Sequence, residues 1–237
     1  MKIVVKIGTS SLLDSRGLLD LPVVARLLRE LVELDRSGTH PVLVSSGAIG
    51  SGRARLGYRE RPSTLPELQA TAAVGQSLLM NSYNQILAAE GYVVAQMLLT
   101  HEDFRDRRRR ANIRATLDAL RGRPVLPVIN ENDVVATEEI TFGDNDALAA
   151  LMAELVGADV LVLLSDVDGF YLDGRKLDVV GQVTDAMRAA AGDGAGSGGM
   201  RSKLRAAESA RVAVIAHGKR DGVRDAMEGR AGTRFGR

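Results

Sequence analysis

Residues 2–11 read KIVVKIGTSS, and the fold class turns on this stretch. Lys2–Ile7 is a β-branched run that stops at Gly8, which predicts a short strand feeding a loop. Its apolar residues are consecutive rather than alternating. That is the pattern of a strand buried on both faces, as in parallel sheets covered by helices. The same pattern returns at Pro41–Ser45 (PVLVS), Tyr92–Leu98, Val125–Ile129, Asp159–Leu164 (DVLVLL) and Val212–Ala216. Apolar residues at helical spacing lie between them, at Leu21–Leu34, Glu67–Glu90 and His101–Leu120. Gly143-Asp144-Asn145-Asp146 opens an alanine-rich helix running to Val156, and Met200–Ala210 is a further helix. Val134–Phe142 reads as a hairpin and Arg59–Pro66 as an exposed loop. Strands alternating with helices predict an α/β fold around a mainly parallel central sheet.

Composition narrows the function. The chain has 237 residues, 45% of them hydrophobic and 26% charged, which excludes disorder over most of its length. Its formal net charge is +1, so no whole-molecule field draws it to nucleic acid or anionic lipid. With no cysteine there is no disulfide, no thiolate metal site and no thiol nucleophile. Three histidines make a multi-histidine metal site improbable, and 4 Phe, 4 Tyr and no Trp argue against base-stacking platforms. No apolar run approaches the ~18 residues of a membrane span, and the N-terminus lacks the apolar core of a signal peptide. A cytoplasmic enzyme, with no membrane partner, is the expectation.

In parallel α/β sheets ligands bind beyond the carboxyl ends of the strands. The residues there are small or polar: Lys6, Gly8, Thr9 and Ser10; Ser45, Ser46 and Gly47; Asn130, Glu131, Asn132 and Asp133; Ser165, Asp166 and Asp168. Glycine lets backbone N–H groups approach a ligand, and a helix N-terminus adds partial positive charge. Glycine-rich loops before helices therefore suit phosphate or carboxylate, although each could serve only as a tight turn. Ser46–Gly52 is one such loop, and Gly192–Gly199, with five glycines in eight residues, is another. Neither a Walker P-loop nor a strand-linked dinucleotide motif is present. Lys6 is the sharper sign, because a cation inside a strand set for burial calls for an anion beside it. Lys203, on the first turn after the glycine-rich loop, could also reach a phosphate. Asp144 and Asn145 could cap the alanine-rich helix, with Asp146 in its first turn free to orient lysines. Asn130–Asp133 suits an amino acid's ammonium and carboxylate, or forms an Asx-rich turn.

The blocks VKIGTSSL, VSSGAIGSG, AAVGQSLLM, QMLLT, PVINENDVV, FGDNDALAA, LLSDVDGFY and GSGGMRSKLRAA occur in one order across residues 1 to about 235. Together they resemble the glutamate 5-kinase family of the amino acid kinase superfamily. The resemblance implies an αβα sandwich with an open, mostly parallel eight-stranded sheet, as a single domain over residues 1–237. It implies ATP-dependent phosphorylation of the side-chain carboxylate of L-glutamate to L-glutamyl 5-phosphate, the first step of proline biosynthesis. Glutamate would lie over the N-terminal half, and ATP with Mg²⁺ over the C-terminal half.

Carried onto this sequence, the resemblance makes Lys6, Lys203 and Asp146 catalytic. Ser46, Asp133 and Asn145 would bind glutamate. Nucleotide contacts would fall on Lys6, Gly8, Ser165 and Asp166, and on Ser197, Gly198, Gly199, Met200, Arg201, Ser202 and Lys203. No metal-binding side chain is implied. Proline as feedback inhibitor and a homodimer or homotetramer are further expectations of the resemblance. Many relatives carry a C-terminal PUA domain; none follows GTRFGR here, so no nucleic-acid role is expected. The Arg107–Arg110 run, with Glu102, Asp103 and Asp106 alongside, reads as a solvated helix face. Tyr171–Val180 is shorter than the family's usual loop.

Overall fold

The computed structural model describes residues 1–135, 144–192 and 199–236. In chain order the elements are β1 (Lys2–Ile7), α1 (Thr9–Leu12), α2 (Leu21–Arg36), β2 (His40–Ser45), α3 (Ala48–Arg55), α4 (Leu65–Ala88), β3 (Val93–Leu99), α5 (His101–Arg105), α6 (Arg107–Leu120) and β4 (Val125–Glu131). They continue with α7 (Asn145–Val156), β5 (Val160–Ser165), β6 (Phe170–Leu172), β7 (Arg175–Leu177), β8 (Val179–Val180), α8 (Asp185–Ala190), α9 (Met200–Ser209), β9 (Ala213–His217), α10 (Val223–Met227) and β10 (Thr233–Phe235). Eight strands form one sheet in the order β3-β4-β2-β1-β5-β9-β10-β8, while β6 and β7 make a separate antiparallel pair. The pairings from β3 through β9 are parallel, and β10 runs antiparallel to β9. This is the αβα sandwich that the sequence pattern and the resemblance imply.

The two-residue period of a strand sorts side chains between the layers. Along β1, Ile3, Val5 and Ile7 join a core with α2, α4 and α10. Val4 enters the opposite core, with α6, α7 and α9. Lys6 shares the parity of Val4, so its side chain is committed to the α7 face. Strand β5 divides alike, with Val160, Val162 and Leu164 on the first face and Leu161 and Leu163 on the second.

Three sequence expectations need revision. Ser46–Gly52 is not simply a loop, because α3 begins at Ala48, with Gly47 in the left-handed region at φ 90° as its N-cap. His101–Leu120 is two helices. Asp106 is extended between them, at φ −80° and ψ 120°, and caps α6 by accepting a hydrogen bond from Arg109 N at 2.8 Å. The short Tyr171–Val180 stretch carries most of the β6–β7 hairpin, which begins at Phe170, an order that the sequence did not show. Of the Val134–Phe142 hairpin, Val134 and Val135 form an exposed turn and residues 136–142 lie outside the described residues.

The hidden helix α3 is possible because two glycines let it lie against α4 backbone to backbone. A Cβ on Gly75 would stand 1.7 Å from Ala48 O, and one on Gly52 would stand 1.9 Å from Thr71 O. These are carbonyls inside helices and cannot swing aside. Gly75→Ala is therefore expected to destabilise the fold by about 1–3 kcal/mol or more, despite alanine's better helix propensity. Thermal unfolding checks this, and an unchanged or raised Tm would contradict the close crossing.

Candidate active site

Four strand ends and two helix starts converge at the carboxyl edge of the sheet. The cleft between them has a volume of about 770 Å³ and is lined by Lys6, Ser46, Asn130, Asp133, Asn145, Ser165, Asp166 and Lys203, among others. At its floor, Asp146 is fully buried between two cations. Lys6 Nζ lies 2.6 Å from one carboxylate oxygen and Lys203 Nζ 3.2 Å from the other. Burial alone would push the Asp146 carboxyl up, but Lys6 and Lys203 outweigh it and hold the group below the usual carboxylate range. Burial lowers the Lys203 ammonium, and Lys6 adds to that, while Asp146 opposes it. Asp146 lies between the two buried lysines, and the Asp166 charge also raises Lys203. Buried ammonium groups are costly unless anions stay beside them.

Local structure explains each placement. Asp144 is the N-cap of α7, accepting from Ala147 N at 3.2 Å, so Asn145 and Asp146 stand in the helix's first turn. A carboxylate there is favoured by the helix dipole. Successive helical residues point about 100° apart, and Asn145 accordingly faces Ser45, Ser46 and Asn130. Its Nδ2 donates to Ser45 O at 3.0 Å, Ser46 Oγ at 3.1 Å and Asn130 Oδ1 at 3.0 Å. Asn130 Nδ2 in turn donates to Gln76 Oε1 at 2.7 Å. The Asn145 Oδ1 atom is buried and has no partner among the described residues. Ser202 Oγ donates to Asp144 Oδ1 at 2.5 Å, tying α9, and hence Lys203, to the start of α7.

Asp133 sits at the far wall. Burial, with the neighbouring Glu131 charge, pushes its carboxyl up to about 7, and Arg61 only partly offsets this. Arg53 and Arg61 also line the cleft, and their side chains have no hydrogen bond or ion pair among the described residues. On the other side, Ser165 Oγ donates to Asp166 Oδ1 at 2.8 Å, and Ser11 Oγ donates to Ser165 O at 3.1 Å. Lys219 reaches the same cleft from beyond β9, donating to Leu13 O at 2.8 Å. Among the described residues, no three His, Cys, Asp or Glu side chains gather as a metal site.

The structure thus brings Lys6, Gly8, Ser46, Asp133, Asn145, Ser165, Asp166 and Lys203 to one cleft, with Asp146 beneath it. Gly199, Met200, Arg201 and Ser202 form the N-cap and first turn of α9 beside it. Ser197 and Gly198 lie outside the described residues. Reading the sequence did not single out Arg53, Arg61, Gln76, Tyr83 or Lys219. Gln76 lies within the block AAVGQSLLM, Tyr83 is betrayed only by its place in a helix, and Lys219 follows the last parallel strand as Lys6 sits in the first. Tyr83 OH is 2.9 Å from Ser45 Oγ, and burial pushes the phenol up to about 12 against that hydrogen bond.

Residues 1–213 match the amino acid kinase family. The chain is 45% identical over 236 residues to glutamate 5-kinase of Pelobacter propionicus, covering 94% of this chain and 63% of that one. It is 42% identical over 242 residues to glutamate 5-kinase of Clostridium acetobutylicum, covering 95% of this chain and 90% of that one. The chain thus spans about 63% of the first relative's length but most of the second's. Among solved structures, carbamate kinase from Giardia lamblia bound to AMP-PNP shares the fold, with a TM-score of 0.66 at 20% identity over 99% of this chain and 97% of that one.

Asp133 sets a pH dependence of stability. An unfolded aspartate titrates near 4, so between about pH 4 and 7 the folded chain retains a proton that the unfolded chain has lost. Stability therefore falls as pH rises across that window, and most of the loss is complete above pH 7. Urea unfolding at pH 5 and pH 8 is expected to show a smaller difference for Asp133→Asn than for the parent chain. An identical difference would place the titration elsewhere.

Proposed function

The chain belongs to the amino acid kinase family, and we infer that it transfers the γ-phosphoryl group of ATP to the side-chain carboxylate of L-glutamate. The product is L-glutamyl 5-phosphate, the first intermediate of proline biosynthesis. The observation that carries this reading is the pair of buried lysines, Lys6 and Lys203, held by Asp146 at the floor of the cleft. An incoming phosphoryl group would meet both ammonium groups there. The resemblance to glutamate 5-kinases across nearly the whole chain supplies the identity of the acceptor.

The acceptor is a carboxylate, already ionised at neutral pH, so no general base is required. One of its oxygens attacks the γ-phosphorus in line, a P–O bond forms, and the bond to the bridging oxygen breaks with release of ADP. Charge develops on the transferring group and the bridging oxygen. Lys6 and Lys203 are positioned beneath it, and Asp146 fixes the ammonium groups without consuming both charges. This accounts for a site without a histidine or cysteine catalyst. Magnesium, when bound, would neutralise charge on the ATP phosphates. With no carboxylate cluster to cage it among the described residues, it fits as a passenger on the nucleotide.

Glutamate's ammonium is taken by Asp133 and by the unpartnered Asn145 Oδ1, with Ser46 beside them. Its α-carboxylate meets Arg53 and Arg61, cleft cations whose side chains make no hydrogen bond or ion pair among the described residues. Ammonium binding pulls the Asp133 carboxyl back toward ionisation, so glutamate binding weakens below about pH 7. ATP contacts fall on Gly8, Ser165, Asp166 and the start of α9, and on Ser197 and Gly198, which precede α9 in the sequence. Glutamate thus lies over the N-terminal half and nucleotide over the C-terminal half of a single domain.

Hydroxylamine trapping tests this reading. Incubation with ATP, magnesium and glutamate is expected to give glutamyl hydroxamate, and its absence would overturn the assignment. Lys203→Ala is expected to lower kcat by roughly 10²–10³ while glutamate KM changes little. Equal turnover in the two proteins would remove the lysine's role.

A further inference from the structure

A second cavity, of about 250 Å³, opens at the opposite end of the sheet, where β1, β2 and β4 begin. Its floor is apolar, formed by Pro41, Val42, Leu117, Val125, Pro127 and Val156. Its rim is cationic. Lys2, Arg114 and Arg123 line it, and none of the three has an ion pair among the described residues. Their partners are backbone carbonyls. Lys2 Nζ donates to Val156 O at 2.9 Å, Arg114 donates to Leu155 O, and Arg123 Nε donates to Ala119 O at 3.2 Å. Helix-end carbonyls explain one donor of each side chain. A guanidinium has five N–H groups, so most donors of Arg114 and Arg123 are not consumed by capping. The two carboxylates on the rim are already engaged: Asp118 with Arg121 at 2.8 Å, and Asp35 with Tyr92 OH at 2.8 Å.

Such a cavity suits one chemical class: a small carboxylate with a compact apolar body. The apolar part is covered by the floor, and the carboxylate takes the bidentate donors of Arg114 or Arg123. We propose that this cavity is a binding site for such a carboxylate, separate from the catalytic cleft. It also has a physical link to that cleft. Lys2 and Arg114 grip the C-terminal carbonyls of α7, whose first turn carries Asn145 and Asp146. A carboxylate that draws these cations away weakens the hold on the far end of that helix. This link alone rests on reading the cleft as a kinase site, so binding is measured first and without turnover.

The probes are benzoate, its neutral counterpart benzamide, and acetate, which lacks the apolar body. Calorimetry of the full chain, in the presence of saturating ATP analogue and glutamate, is expected to show benzoate binding and at least tenfold weaker binding of benzamide and acetate. Arg114→Met with Arg123→Met should weaken benzoate binding at least tenfold, with circular dichroism and Tm reporting that the variant is folded. Should that variant fail to fold, Arg123→Met alone, at an exposed position outside the grip on α7, is expected to weaken it at least threefold. Absence of benzoate binding, equal binding of benzamide, or binding untouched by the arginine substitutions in a folded variant would overturn the site. Benzoate at saturation is then expected to change kcat at saturating ATP and glutamate in the parent chain but not in the arginine variant. Binding with an unchanged kcat would overturn the link through α7 and leave the hydroxamate result unaffected.

Discussion

The carboxylate of Asp146, shared between Lys6 and Lys203, is the interaction on which the arrangement of the cleft depends. It joins three elements that are far apart in the chain: β1, α7 and α9. Its geometry follows from simple periodicities. Strand parity sends Lys6 to the α7 side of the sheet, and the N-cap at Asp144 fixes where α7 begins. The Ser202 hydroxyl then holds α9 against that same cap. Without the aspartate, the two buried ammonium groups would lose the carboxylate that offsets their desolvation.

Adjacent residues on one helix turn divide the work. Asp146 looks down to the lysines, while Asn145 looks across to Ser45, Ser46 and Asn130. The Asn145 network and the lysine–aspartate cluster are therefore built from one piece of helix backbone. The α3–α4 crossing supports the Asn145 side of the cleft. Gly52 and Gly75 bring the two helices together, and α4 carries Gln76 to Asn130 and Tyr83 to Ser45.

Much of this was legible in the sequence, for identifiable reasons. Consecutive apolar strand residues announce burial on both faces, which yields the parallel sheet and directs attention to its carboxyl edge. Lys6 stands out because charge within such a strand is anomalous, and the GDND cap marks the start of α7. The parts that stayed hidden depend on tertiary contact. Helix α3 is rich in glycine and reads as loop, and only the neighbouring α4 backbone explains its glycines. The break at Asp106 follows from a side chain capping the next helix, in a charged stretch with no proline or glycine to mark it. Arg53, Arg61 and Lys219 look like ordinary surface cations until the fold turns them into the cleft.

The central claim is that Lys6 and Lys203 are held by Asp146 to meet charge that develops during phosphoryl transfer. A mimic of the transferring phosphoryl group reads this most directly. Calorimetric binding of ADP with magnesium and aluminium fluoride, in the presence of glutamate, should be tight in the parent chain. It should weaken by at least about 10²-fold in Lys6→Ala or Lys203→Ala, with glutamate affinity retained to within a few-fold. Weakening of the mimic and of glutamate to the same extent, or no weakening of the mimic, would contradict the account.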